Sequence, residues 1–324
     1  MTKEYDIVIV GGGPAGLAAA ISAKEEGMDK VLILERESQL GGILNQCIHA
    51  GYEDKNFNEK LTGPEYVENF INRIKKLKIE YKLDTTVLNI NDTTLILVNG
   101  ENGIIEIKAK AIIIATGCRE KPRGVINIPG NRMAGIYTAG TVQKFINLEG
   151  YLPGKEVVIL GSGNVALEVA KRMTLEGAKV KSVIEDMFYP DGSEKKVIEC
   201  LDDFDIPLKL GYSVVDLKGK DRVEGLTITK IDNDRMPLKD TEEYIGCDTI
   251  VLSVGLFPDS NLAKEAGIKT HPLTGGIQVD KDMKTNIRGV FACGNSLYIH
   301  ENVNYITVES YNAGKKAAKY ISNL

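Results

Sequence analysis

Three glycines and an acid set out the first chemistry that this sequence can do. Gly11, Gly13 and Gly16, with Pro14 and Ala15 among them, follow an apolar run from Tyr5 to Val10 and lead into an Ala-rich stretch ending at Gly27. A second apolar run, Val31 to Leu34, is closed by Glu35, 24 positions after Gly11. In a β-α-β unit this spacing suits a dinucleotide. The first glycine allows the tight turn, the second lets backbone approach a pyrophosphate, and the third lets the helix pack on the strand. The helix start supplies free N–H groups and a positive dipole end for the phosphates, and the acid meets a ribose hydroxyl.

The same arrangement returns 150 residues later. Val157 to Leu160 leads into Gly161, Ser162, Gly163, Asn164, Val165 and Ala166, and the strand after the next helix ends at Glu185. Two such units at a fixed offset are an internal duplication, so one chain offers two dinucleotide sites. That pairing suggests a flavin and a nicotinamide. Glu185 can bond a ribose 2′-OH and would repel a 2′-phosphate, and Asp186 to Pro190 include no Arg to hold one. The expected second ligand is therefore NAD(H), with NADP(H) or ATP as the alternatives.

Cysteine usage narrows the redox chemistry. The five cysteines, 47, 118, 200, 247 and 293, form no Cys-x-x-Cys. This argues against a disulfide framework, a metal site or an iron–sulfur cluster held within the chain, and it fits a reducing compartment. Cys47 is either a thiol that acts if its pKa is lowered, with His49 as its base, or a buried small apolar residue. His300 has the same standing towards the carboxyl-terminal segment. Hydride exchange between a nicotinamide and a flavin requires no side-chain acid or base, because the cofactors carry the chemistry.

The elements that must position these groups follow from periodicity. At 324 residues, 43% apolar and 26% charged, the chain has the length and composition of a soluble protein of two domains. Its net charge of −5, with no basic run interleaved with aromatics, offers no footprint for nucleic acid. Without a signal-like apolar core or a membrane-length apolar stretch, the expected location is the cytoplasm. Asn58 to Leu77 has helical spacing, and the segment after Gly41-Gly42 could begin a helix. Thr86–Ile90, Thr94–Val98 and Gly103–Lys108 read as an antiparallel excursion, followed by a fully buried strand, Ala111 to Ile114, that ends in Ala115-Thr116-Gly117. Arg119 to Pro129 reads as a crossing between domains. The second domain ends near Thr249 to Gly255, a run that mirrors the Ala-Thr-Gly strand, and a helix from about Thr307 closes the chain. The fold class is thus α/β with two Rossmann-like, three-layer dinucleotide-binding domains. A second domain, residues 121–256, is inserted in a first made of residues 1–120 and 257–324.

These motifs, together with Cys293-Gly294-Asn295, resemble those of the flavin-dependent pyridine nucleotide oxidoreductases with two dinucleotide-binding domains, in the thioredoxin reductase branch but without its Cys pair. Gly41 to His49, Thr62-Gly63-Pro64-Glu65-Tyr66, Gly117-Cys118-Arg119-Glu120 and Cys200 to Pro207 look more narrowly like the small FAD/NAD-dependent subunit associated with anaerobic-type glycerol-3-phosphate dehydrogenases. More distantly the chain is similar to the α-type subunits of opine oxidase, proline dehydrogenase and hydrogen cyanide synthase. The resemblance implies FAD in the first domain. Gly11, Gly13, Pro14, Ala15 and Gly16 would meet its pyrophosphate, and Glu35, with Arg36 beside it, the adenosine ribose. Val87 would meet adenine, Gly42 would follow a turn beside the flavin, and Thr116 and Gly117 would line the domain's inner edge. Gly294 and Asn295 would meet the ribityl chain, and Thr307 and Val308 would present helix-start N–H groups to the flavin. Gly161, Gly163, Asn164, Val165, Glu185 and Gly255 would hold NAD. The resemblance also implies a complex, with a second flavoprotein dehydrogenase subunit that carries the substrate pocket and a small Cys-rich protein. A stand-alone reductase working through Cys47, or a nucleotide-bound subunit without turnover, are the other readings.

Overall fold

The computed structural model describes residues 3–53, 60–126, 128 and 130–324, and the chain divides into two compact units. One is Met1–Arg119 with Phe257–Leu324, and the other is Glu120–Leu256. The amino-terminal segment carries β1 (Lys3–Val10), α1 (Pro14–Glu25), β2 (Val31–Leu34), α2 (Gly63–Lys76) and β3 (Gly103–Ile114). The middle segment carries β4 (Glu156–Leu160), α3 (Asn164–Leu175), β5 (Lys179–Glu185) and β6 (Thr249–Leu252). The last segment adds β7 (Val290–Ala292) and α4 (Val303–Ser322).

In the first unit β1 lies between β2 and β3, all parallel, with Val8 opposite Leu32 on one side and Ile112 on the other. β7 adds a parallel strand beyond β3, with Val290 opposite Ile112. The expected separate strand at Ala111 is instead the second half of β3. Burial along β3 alternates where Thr94–Asn99 pairs with it in a meander, and becomes complete from Ala111 to Ile114, where β1 and β7 flank it. The Ala-rich composition of α1 has a packing cause. A methyl added at Gly314 of α4 would fall onto the Ala19 carbonyl, and Ser22 Oγ donates to Tyr311 O at 2.7 Å, so two helix backbones run close together.

The second unit repeats the plan. Its parallel sheet runs Ile136–Thr138, β6, β4, β5, Leu208–Leu210. Alternate residues of β4 serve two cores: Val157 and Ile159 pack with Leu167 and Met173 of α3, and Val158 and Leu160 pack with Leu226 and Ile228 of an antiparallel sheet. These are the three layers.

Several element starts differ from the periodic reading. α2 begins at Gly63 because Thr62 caps it: Thr62 N donates to Glu65 Oε2 at 2.8 Å and Glu65 N to Thr62 Oγ1 at 3.5 Å, with Pro64 in the first turn. Asn58 and Glu59, and Pro129 at the end of the expected crossing, lie outside the described residues. The segment after Gly41 is a single 3-10 turn, Gly42–Gln46. α4 begins at Val303, where Asn302 Oδ1 accepts from Asn304 N at 2.8 Å. Among the described residues no helix is long and apolar enough to cross a membrane.

The two copies differ where α1 and α3 leave their glycine turns. A methyl at Gly16 would fall onto the Gly11 carbonyl, whereas Ala166, its counterpart, is fully buried and accommodated. Gly16→Ala should therefore cost about 1–3 kcal/mol by overpacking. Ala166→Gly should cost no more than about 1 kcal/mol, through lost helix propensity. Urea unfolding of the two variants compares them, and an unchanged midpoint for Gly16→Ala would contradict the steric argument.

Candidate functional site

The first corner forms where β1 ends. Gly11 has a φ of +112°, and a side chain there would meet the carbonyl of Ala115, which follows β3. Glycine is the residue that allows both the turn and this approach. Glu35, 5% exposed, accepts from Gly12 N at 2.6 Å through Oε2 and from Glu37 N at 2.9 Å through Oε1. Its carboxylate thus fixes the turn from the end of β2. No side chain caps α1, so its first-turn N–H groups and positive dipole end remain open to an anion.

Two separate stretches close around that helix start. Gly42 lies against Gly13, whose Cα would be 3.0 Å from an added Cβ, and a methyl at Gly294 would come within 2.7 Å of the Ala15 Cβ. Gly13, Gly42, Gly294, Pro14 and Ala15 therefore form a cradle that side chains would fill. This fits a pyrophosphate and the start of the chain linking it to a flavin ring. Val87 lies two residues beyond Thr85, whose N donates to Glu35 O at 2.9 Å. Thr116 Oγ1 donates to Asp259 O at 2.6 Å, and Gly117 O accepts from Asp259 N at 2.9 Å. Asp259, which sequence reading passed over, also ties Arg119 at 2.8 Å and Arg36 at 3.8 Å. Arg36 is thus drawn towards Asp259.

The carboxyl-terminal segment joins the expected Gly294, Asn295 and His300 to two residues the sequence did not mark, Tyr298 and Glu309. His300 donates from its backbone N and lies with Nδ1 at hydrogen-bond distance from Asn295 Oδ1, both at 3.0 Å. A backbone N–H must meet an acceptor, so the oxygen of Asn295 is committed to His300, and its Nδ2 donates to Cys118 Sγ at 3.6 Å. Glu309 Oε1 accepts from Gly294 N at 2.7 Å, and its Oε2 lies 3.4 Å from His300 Nε2. Tyr298 stacks on His300 with ring centroids 4.1 Å apart, and its hydroxyl is pushed up by burial and then by Glu309. Thr307 and Val308 do not open α4, as the sequence suggested. They lie more than a turn inside it, with Thr307 Oγ1 on Val303 O at 3.0 Å and beside Tyr66 Oη at 2.9 Å, and Val308 exposed. The helix-start N–H groups belong instead to Val303–Ile306.

Cys47 is buried and donates from Sγ to Ile43 O at 3.3 Å. Burial pushes its thiol up, and Tyr52 offsets this in part. His49 packs on Tyr52, with Nε2 3.5 Å from Tyr52 Oη. A thiolate nucleophile requires a lowered pKa, and this environment works the other way. Cys200 is likewise raised by burial, and Cys247 and Cys293 are pushed up to about 12, chiefly by burial.

The second corner repeats the first in its main contacts. A side chain at Gly161 would meet the Ser253 carbonyl, as Gly11 meets Ala115. Glu185, 6% exposed, accepts from Ser162 N at 2.8 Å, Ser162 Oγ at 2.6 Å and Met187 N at 3.1 Å. Burial raises the Glu185 carboxyl, but these donors outweigh it and hold it below the ordinary carboxylate range. Asp186 is pushed up, first by burial and then by Glu185. Asn164 Oδ1 accepts from Ser193 N at 3.2 Å, Val165 is exposed, and Asp191 Oδ2 lies 3.0 Å from where a Cβ at Gly163 would be. Gly255 faces Lys121, whose Nζ is 3.3 Å from the corresponding Cβ position. The sequence offered no Arg after Glu185, yet the fold brings one: Arg235 Nη1 lies 3.4 Å from Asp186 Oδ2.

Two glycine-turn corners, each locked by a buried acid at the end of its second strand, define an α/β protein of two Rossmann-like units. The chain belongs to the pyridine nucleotide-disulphide oxidoreductase family, whose model matches residues 5–313. It is 27% identical over 289 residues to the HcnB subunit of hydrogen cyanide synthase from Pseudomonas protegens, covering 81% of this chain and 59% of that one. It is 28% identical over 323 residues to an alkyl hydroperoxide reductase subunit of Staphylococcus aureus, covering 98% and 58%. The chain thus spans somewhat over half the length of these curated relatives. Thioredoxin reductases of T. acidophilum (TM-score 0.77, 24% identity, 99% and 98% of the two chains) and Lactococcus lactis (0.78, 23%, 99% and 100%) share the fold.

If Cys47 is held as a neutral buried thiol, iodoacetamide at pH 8 should label half-buried Cys118 well before Cys47 in the native protein. Peptide mapping over time measures this. Preferential labelling of Cys47 would reverse the assignment.

Proposed function

We propose that this chain is an electron-transfer subunit that exchanges hydride with NAD(H) on an FAD. In this reading it belongs to a multi-subunit dehydrogenase for a small hydroxy or amino acid, of the glycerol-3-phosphate type. The observation that carries this reading is the duplicated corner combined with a thiol inventory that gives electrons no disulfide to reach. Both corners show a buried carboxylate, a glycine turn and a helix start. None of the five cysteines, all among the described residues, forms a disulfide, and Cys47 is buried and pushed up. Electrons on the flavin then leave to another subunit. Both curated relatives are themselves subunits by name, which supports a partnered role.

In this reading the first unit binds FAD. Gly11, Gly13, Pro14, Ala15 and Gly16 receive its pyrophosphate, Glu35 its ribose, Val87 its adenine, and Gly42, Gly294 and Asn295 the part towards the ring, with Thr116 and Gly117 along the edge. FAD supplies the hydride-accepting ring. The second unit binds NAD(H) at Gly161, Gly163, Asn164 and Val165, with Lys121 beside Gly255. Glu185 carries a charge that disfavours a 2′-phosphate. The partner chains are a second flavoprotein that carries the substrate pocket and a small Cys-rich protein.

Anaerobic stopped-flow reduction of the FAD-loaded chain should be faster with NADH than with NADPH, and Cys47→Ser should leave this rate within about twofold, as for a substitution that touches no reacting group. Purification from the native source should recover a second flavoprotein. Loss of NADH-dependent flavin reduction in Cys47→Ser, or full turnover of a small disulfide or peroxide by the isolated chain, would replace this reading with the single-cysteine reductase.

A further inference from the structure

Arg235 is placed beside the second corner by a built connection rather than by a loose loop. Met187, two residues past Glu185, accepts at its carbonyl from Gly211 N at 2.9 Å, and Gly211 O accepts from Ile231 N at 2.9 Å. The chain then turns about Asp232, whose Oδ1 accepts from Asp234 N and Met236 N, both at 2.9 Å. Arg235, at φ +61° and with its N on Asp232 O at 3.0 Å, projects from that turn. Its guanidinium reaches back to Asp186 Oδ2 at 3.4 Å and to Met187 Sδ at 2.7 Å. Phe188 closes the same junction by packing where Gly211 has no side chain.

The local charges are then Glu185 and Asp186 against Arg235, with Lys209 on the neighbouring strand turned to Glu243 at 2.8 Å. Glu185 is buried and saturated by the turn, so its charge is fixed in place. Asp186 and Arg235 are 51% and 58% exposed, and such a pair is weak enough to open. An adenosine 2′-phosphate would need a guanidinium near the end of β5, where Arg offers a bidentate fork.

We propose that Asp186 is a specificity-determining residue: it engages Arg235, the guanidinium placed to meet an adenosine 2′-phosphate, and so keeps this corner selective for the unphosphorylated ribose. The inference rests on reading the second unit as a nucleotide site and deepens it. With Asp186 neutralised, Arg235 becomes free to pair with a phosphate. Selectivity then depends on two residues far apart in sequence, not on Glu185 alone.

Calorimetric titration of the FAD-loaded full-length chain with ADP-ribose and with 2′-phospho-ADP-ribose tests this without any catalytic step, and FAD keeps the first corner occupied. The wild type should favour ADP-ribose. Asp186→Asn should narrow that preference by about tenfold, mainly by tightening the phosphorylated ligand. Asp186→Asn combined with Arg235→Ala should restore the wild-type ratio, and Arg235→Ala alone should leave ADP-ribose affinity within about twofold, since in the wild type its charge is committed to Asp186. An unchanged ratio in Asp186→Asn, or a gain that survives removal of Arg235, overturns the gate while leaving the nucleotide site intact. If the wild type binds neither ligand, the nucleotide reading itself falls, and the gate with it.

Discussion

A carboxylate buried at the end of a strand is the interaction on which each unit depends. Burying such a charge is costly unless donors surround it, and in both copies the donors are backbone N–H groups of the glycine turn and of the residue two past the acid. The acid therefore ties the first crossover to the second strand. The turn has little freedom left, since its first glycine already touches the carbonyl after the neighbouring strand. Sheet, turn and helix start become one rigid corner, and the helix dipole points at a fixed place. What varies between the copies is what closes over that corner: Gly42 and Gly294 in the first unit, and the Asp191 segment in the second.

Much of this was legible in the sequence because it is local. Glycine spacing, the apolar runs and the offset between copies need no tertiary information, and they led to β1, β2, β4 and β5 and to both acids. Boundaries set by single capping residues were less visible. Thr62 and Asn302 override the apolar periodicity, which starts one helix too early and the other too late, because a satisfied cap decides where a helix begins. The merger of two expected strands into β3 was hidden for a related reason. Periodicity changes from alternating to continuous when flanking strands appear, without any break in the backbone.

The parts of the site that could not be read are those made by distant residues. Glu309 lies in a helix whose pattern gives it no distinction, yet it holds Gly294 N. Arg235 sits on a turn, with nothing in its neighbours pointing to Asp186. Asp259 is separated by more than a hundred residues from the Thr116 that it contacts. In the case of Cys47, residue type left a reactive thiol and a buried apolar residue both open, and only the surroundings bear on the choice: apolar burial favours the neutral thiol, and an imidazole two positions away in sequence packs on Tyr52.

The mismatch between Gly16 and Ala166 makes the duplication a one-way exchange. The turn before α3 must leave room for a methyl group, whereas the turn before α1 closes that space with the Gly11 carbonyl. A helix from the first copy could be transplanted into the second and leave only a small void behind. The reverse graft would pry the first corner open. Exchange between the halves is therefore tolerated in one direction and resisted in the other.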